Sequence, residues 1–189
     1  VPLAAGATAE IEVDFAHDRP GLPTGLRLGF APPEPADALE RAVAAARGAD
    51  AAVVVVGLDE DWETEGRDRD SFSLPGRQDE LVAAVAAANP RTIVVVNAGS
   101  PVAMPWADDT AALLQLWYPG QEGGRALADV LFGDVDPGGR LPLTIPVRME
   151  DTPAFLSCPG EALTLRYDEG VFCGHRWYDA RGIAPRFPF

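Results

Sequence analysis

The chain has 189 residues, 47% of them hydrophobic, with 15 basic against 29 acidic residues and a net charge of −14. That length and apolar content suffice for one ordinary core plus an appendage, and a net negative charge of this size repels phosphate backbones and anionic bilayer surfaces, which argues against nucleic acid or membrane as partners. No apolar run approaches the roughly 20 residues needed to span a bilayer, and the opening Val1-Pro2-Leu3 lacks the charged and apolar regions of a signal peptide. The chain has no initiator Met, so its natural start is expected upstream and its compartment is left open.

Residues 9–15 alternate, with Ile11, Val13 and Phe15 on one face and Glu10, Glu12 and Asp14 on the other, the period of a half-buried strand. A second short strand fits residues 26–30. An isolated hairpin is marginal in water, so residues 1–30 are expected to be the end of a preceding β-domain. The proline-rich run at 31–35 reads as a stiff linker. From residue 36 the pattern turns to helix and strand in alternation. Leu39, Val43 and Ala46 recur at helical spacing before Gly48, a residue able to take the left-handed conformation that ends helices. The valine run at 51–57 follows, apolar on both faces, which implies a mostly parallel sheet covered on both sides. The unit repeats as a helix over 78–88, ended by Asn89-Pro90, and a strand over 92–96. A third repeat is less clean: a strand at 113–117, a helix at 125–132 closed by Gly133, and a further strand at 141–145. Little regular structure is expected from residue 158 onward, and the apolar ending Arg186-Phe-Pro-Phe189 reads as a truncated C-terminus. Cys158 and Cys173 lack a CxxC spacing and read as buried small apolar residues rather than a redox pair.

In open parallel sheets, functional groups collect in the loops leaving the carboxyl ends of strands. Three such loops occur, at 58–76, 97–101 and 118–124. The first is much longer than the 2 to 6 residues usual for such a connection, and its segment from Asp59 to Asp70 is dense in carboxylates. That charge opposes a phosphate cradle, so a flavodoxin-like nucleotide module is disfavoured. A neutral polyol fits better, because carboxylates accept bonds from hydroxyls and an indole such as Trp62 can stack on a sugar ring. No cofactor is implied. Nor is a metal, since His17 and His175 are distant and the acidic spacing lacks the calcium-loop glycine. The glycines of Gly120-Gln-Glu-Gly123 read as serving a turn and close packing, and Trp106 and Trp117 as core residues.

The string Trp62-Glu-Thr-Glu65-Gly-Arg-Asp-Arg69, followed by Leu74-Pro75 and Gln78, resembles the C-terminal α/β-sandwich domain of glycoside hydrolase family 3, the β-glucosidase family. The likeness continues through Asn97-Ala-Gly-Ser-Pro101, Gly120-Gln-Glu-Gly123, Gly138-Gly-Arg-Leu-Pro142, Tyr167-Asp-Glu-Gly170 and Arg176-Trp-Tyr-Asp179, and so covers about residues 36–189. Cys173-Gly-His175 departs from the valine and tyrosines that relatives commonly carry. The resemblance implies a mostly parallel six-strand-type sheet between helices. It also implies that residues 1–30 end a protective-antigen-type β-sandwich insert. Such enzymes are exo-acting retaining β-glycosidases: an aspartate of a preceding (β/α)₈ barrel attacks the anomeric carbon, and a glutamate of the sandwich domain protonates the leaving oxygen. The position matching that acid/base is Glu65, with Glu63 as the alternative two residues away, and Trp62 is the candidate substrate contact. The partners implied are a β-glucoside or related glycoconjugate and the barrel of the same polypeptide. The nucleophile would lie in that barrel, leaving this fragment inactive alone. Asp68 or Asp70 is expected to engage Arg67 and Arg69, so that neither cation sits on the Glu65 carboxyl. The rival class is a non-catalytic carbohydrate-binding or scaffolding module of the same fold.

Overall fold

The computed structural model describes Gly6, Thr8, residues 10–16, Gly29 and residues 34–189. It divides into two units, Val1–Pro35 and Ala36–Phe189. In the first unit a strand is expected at 9–15; its described residues, 10–15, carry no strand, and Ile11, Val13 and Phe15 are exposed. Alternation alone supplies an apolar face, whereas a strand also needs a neighbouring backbone for its hydrogen bonds. The segment expected as a second strand lies outside the described residues except for Gly29.

The second unit is an α/β fold. Its described elements run α1 (Ala38–Arg47), β1 (Ala52–Gly57), α2 (Gln78–Ala88), β2 (Thr92–Asn97), β3 (Ala112–Gln115), α3 (Gly123–Phe132) and α4 (His175–Arg181), with short 3₁₀ turns at Ala107–Asp109 and Met149–Asp151. The strands form one parallel sheet in the order β1-β2-β3, with Val54 opposite Val94 and Val94 opposite Leu113. Valine and isoleucine dominate β1 and β2 because branched side chains pack well on a pleated surface. Val54, Val56, Val94 and Val96 point to one face and share a core with Val82 and Val85 of α2 and Ala46 of α1. On the other face Val95 of the central strand is fully buried, but Val53 and Val55 are 49% and 57% exposed. β1 is therefore not covered on both sides as its apolar run suggested; it is an edge of the three-stranded sheet, and periodicity cannot distinguish an edge strand from a central one.

Helix ends follow local chemistry. Asn89 precedes Pro90 and is extended, as a residue before proline must be, and this terminates α2. Its buried amide donates to the carbonyls of Ala46 (2.9 Å) and Ala49 (3.0 Å) and accepts from the Arg91 amide (2.8 Å), tying the end of α1 to the α2–β2 turn. Gly133 closes α3 with a left-handed φ of 84°, whereas Gly48 after α1 stays right-handed at φ −88°.

The strand expected at 141–145 is absent. Only Ile145 pairs, in an isolated bridge with Phe187 whose Ile145 N–H to Phe187 O distance is 2.9 Å. Pro142 and Pro146 remove the amide donors on either side, so a ladder cannot extend. The tail, expected to be irregular, includes α4, which buries Tyr178. Cys158 and Cys173 are free and exposed rather than buried. Trp106 is buried and donates its indole N–H to Asp79 (2.8 Å), while Trp117 is only half-buried.

Candidate functional site

The loops that leave the carboxyl ends of β1, β2 and β3 converge on one carboxylate, that of Glu63. The β1 loop starts with a helix-like turn in which the Trp62 and Glu63 amides donate to the Asp59 carbonyl at 3.0 and 2.8 Å. The Asp59 side chain accepts from the Asp61 amide at 3.0 Å. This turn brings Glu63 to the β2 loop, where one carboxylate oxygen accepts from the Gly99 amide at 2.7 Å and the other from the Ser100 hydroxyl. The Tyr118 hydroxyl, from the loop after β3, donates to the same carboxylate. Gly99 is small for a steric reason: a Cβ there would stand 2.9 Å from the Tyr118 ring and 3.3 Å from the Glu63 carboxylate. Just before Tyr118, Trp117 takes a positive φ of 59°, a strained value for a bulky residue and one that re-aims the chain at the strand end.

Electrostatics follow this geometry. Burial alone would raise the Glu63 pKa, but the bonds from Ser100, Tyr118 and Gly99 and the positive charge of Arg69 outweigh it and hold the carboxyl below its ordinary value. Burial and then the adjoining Glu63 carboxylate push the Tyr118 phenol up to about 12. The pair is thus an ionised acceptor with neutral donors around it.

Immediately after Glu63, Thr64 and Arg67 bridge in antiparallel fashion across a four-residue turn with Glu65 and Gly66 at its tip. Gly66 has a φ of +83°, the value required at the third position of a type II turn. Glu65 is exposed and has no hydrogen-bond or ion-pair partner among the described residues. Arg67 donates to the Asp61 carbonyl and Arg69 to the Pro101 carbonyl at 2.7 Å. The expected pairing of these arginines with Asp68 or Asp70 is therefore replaced by backbone acceptors, which a planar guanidinium reaches with a fixed fork of donors. The second terminal nitrogen of Arg69 is buried without a partner among the described residues. Beyond it, the Phe72 carbonyl accepts from the Ala103 amide at 2.8 Å.

A polar cleft of about 430 Å³ lies along this loop, and Trp62, Glu63, Glu65, Arg69 and Tyr118 all line it. Trp62 is 39% exposed. Among the described residues no group of three or more His, Cys, Asp or Glu could hold a metal ion, and no helix is long and apolar enough to cross a membrane. Gly120 and Gly123 lie on the rim of the β3 loop. The first takes a positive φ of 70°, and the second packs so closely on Pro119 that a Cβ would meet its ring at 2.3 Å. Both serve turn and packing.

Reading the sequence brought Trp62, Glu63 and Glu65 to one loop but missed Ser100 and Tyr118. The available signal was their position, each just past the carboxyl end of a parallel strand.

A three-stranded parallel sheet flanked by helices, with a long acidic loop at its carboxyl edge, defines an α/β domain. The glycosyl hydrolase family 3 C-terminal domain model matches residues 4–175, and the chain belongs to that family. The match begins within residues 1–30. A β-glucosidase of Rhizobium radiobacter is 43% identical over 197 residues, covering 100% of this chain and 24% of the relative. The probable β-glucosidase J of Aspergillus fumigatus is 49% identical over 168 residues, covering 88% and 19%. Among solved structures, the Kluyveromyces marxianus β-glucosidase in complex with glucose superposes with a TM-score of 0.81 at 43% identity, covering 85% of this chain and 19% of that one. The Bifidobacterium adolescentis family 3 β-glucosidase gives 0.77 at 42% identity, covering 85% and 24%. The chain spans about a quarter or less of the length of these relatives.

Proposed function

We propose that this chain is the acid/base-bearing part of a retaining exo-acting β-glucosidase that hydrolyses terminal β-D-glucosides, with Glu65 as the proton donor. The observation that carries this reading is the placement of Glu65: at the tip of a tight turn on a long loop, exposed, without an intrachain partner among the described residues, at the carboxyl edge of the sheet. In a retaining pair the two carboxyl groups stand about 5 to 5.5 Å apart, so a donor from one domain must project into the other. A barrel domain of the same polypeptide would supply the nucleophilic aspartate. There, burial and the nucleophile's negative charge would shift the Glu65 carboxyl toward the protonated form that a general acid needs. Neither arginine opposes that shift by direct contact, since Arg67 and Arg69 are bonded to main-chain carbonyls.

Glu63 is less suited to the role. Its three donors favour the ionised form, and a general acid must start protonated. Trp62, partly exposed on the cleft, is assigned to stack on a sugar ring bound between the two domains. Residues 1–30 are assigned, on sequence resemblance alone, to the end of a protective-antigen-type insert.

The test is Glu65→Gln in the full-length polypeptide. General acid help is worth about 10²- to 10⁴-fold, so kcat/KM for an alkyl β-glucoside should fall by that factor. An activated aryl β-glucoside, whose leaving group departs without a proton, should lose much less. Equal losses on both would remove Glu65 from the role.

A further inference from the structure

We infer that Glu63 is the latch of the Glu65 turn, a positioning residue whose carboxylate, bonded by the Gly99 amide and the Ser100 and Tyr118 hydroxyls, fixes where the proton donor projects. The inference rests on the reading of Glu65 given above and adds what holds that residue in place.

The connection between β1 and α2 runs from residue 58 to residue 77 without a helix or a strand. A loop of that length, free at its middle, would carry its tip through many positions, whereas catalytic groups must be held within about 0.5 Å of their productive geometry. Hydrogen bonds tie it in both halves, beginning with the Leu58 amide on the Asn97 carbonyl at 3.0 Å and the Tyr118 hydroxyl on the Leu58 carbonyl at 3.3 Å. On its second half Arg69 bonds the Pro101 carbonyl and Phe72 bonds Ala103. On its first half Glu63 joins the β2 loop through Gly99 and Ser100 and the β3 loop through Tyr118. Between Glu63 and Arg69 lie only residues 64–68, most of them consumed by the Thr64–Arg67 turn. The latch thereby shortens a long loop to a five-residue hairpin that carries Glu65.

The chemistry of the three partners explains why the latch residue is a carboxylate. Gly99 N–H, Ser100 O–H and Tyr118 O–H all donate toward it, and an ionised carboxyl has two oxygens that only accept. A carboxamide of the same shape would turn one of those oxygens into a donor facing a donor. Charged acceptors also hold their donors more firmly than neutral ones do.

The expected consequence is selective. A misplacement of about 1 Å at a reacting group can cost on the order of 10²-fold, and here it falls on proton donation. In the full-length polypeptide, Glu63→Gln should lower kcat/KM for an alkyl β-glucoside by about 10- to 100-fold while lowering it less than about threefold for an activated aryl β-glucoside. Tyr118→Phe, which removes the hydroxyl that donates to Glu63 and lies 3.3 Å from the Leu58 carbonyl but removes no charge, should show the same split at smaller amplitude. In a Glu65→Gln background, Glu63→Gln should add no further split, because the group it positions is gone.

General damage to the fold would lower both substrates together, so the split is what a merely structural residue would not produce. If Glu63→Gln does not fold, Tyr118→Phe carries the same test. Three results would overturn the proposal. Equal losses on the two substrates in both variants, with Glu65→Gln still showing its split, would remove the latch and leave Glu65 standing. A split larger in Glu63→Gln than in Glu65→Gln would make Glu63 the donor itself. No split in Glu65→Gln would remove the reading of Glu65 and the latch with it.

Discussion

Gly57 ends β1 and begins the loop that carries the site, and the backbones of β1 and β2 touch there. A Cβ added at this position would lie 1.9 Å from the Asn97 carbonyl oxygen and 2.7 Å from its carbon, against a floor of 3.0 Å for real Cβ contacts. Gly57→Ala must therefore drive the two strand ends apart by 3.0 − 1.9 = 1.1 Å, and the obstacle is main chain rather than a side chain that can swing away. The same Asn97 carbonyl accepts the Leu58 amide at 3.0 Å, and Gln78 brackets Gly57 by accepting its amide at 2.7 Å and donating to its carbonyl at 3.0 Å. Overpacking of this kind costs about 1–3 kcal/mol, and a lost hydrogen bond adds about 1 kcal/mol. The expected destabilisation is about 2–4 kcal/mol, a large part of the about 5–15 kcal/mol that stabilises a domain. With a urea slope of about 2 kcal/mol/M, the midpoint should fall by about 1–2 M. The assay is urea unfolding followed by tryptophan fluorescence, with Trp106 as the buried reporter. A midpoint within about 0.3 M of wild type at unchanged slope would refute the claimed backbone contact.

Asn89→Ala should destabilise by about 2–3 kcal/mol in the same assay, since it removes three hydrogen bonds and leaves the Ala49 carbonyl without its side-chain partner. Asn89→Asp should be at least as harmful, because a carboxylate would face two carbonyl oxygens. The Glu63–Tyr118 pair should give stability a pH window. Glu63 has a folded pKa below its unfolded value, so its contribution is present above the ordinary carboxylate range and is lost as pH falls through the folded value. Tyr118 is raised from 10.0 to about 12, so its contribution is complete below pH 10 and fades as pH rises toward 12. The urea-midpoint difference between wild type and Tyr118→Phe should thus hold steady through neutral pH and shrink at both ends; a difference independent of pH would dissociate the pair.

The elements most legible in the sequence were those whose signal is local. Branched-residue runs marked β1 and β2, and helical spacing followed by Asn89-Pro90 marked α2 to the residue. Local signals failed where formation depends on a distant neighbour. The alternation of Ile11, Val13 and Phe15 was not matched by a partner strand among the described residues, and Leu141–Ile145 was interrupted by the two prolines whose effect its apolar residues had masked. The exposure of Val53 and Val55 belongs to the same class, because position within a sheet is not written in a strand. At the site, the long acidic loop and its Trp62, Glu63 and Glu65 could be read directly. What could not be read was which of two glutamates two residues apart is bonded within the chain. Gly99, Ser100 and Tyr118, 36 to 55 residues away in sequence, bond Glu63 and not Glu65.

The central claim is that Glu65 gives and takes the proton, and rescue by azide tests it most directly. Removing the acid/base of a retaining glycosidase leaves a glycosyl-enzyme that water attacks slowly, while a small anion needs no base and enters on the face the missing carboxyl occupied. In the full-length polypeptide carrying Glu65→Ala, azide should restore turnover of an activated aryl β-glucoside and yield the β-glucosyl azide, whereas Glu63→Ala should give none. Silence with azide in Glu65→Ala, or an α-glucosyl azide in its place, would contradict the assignment.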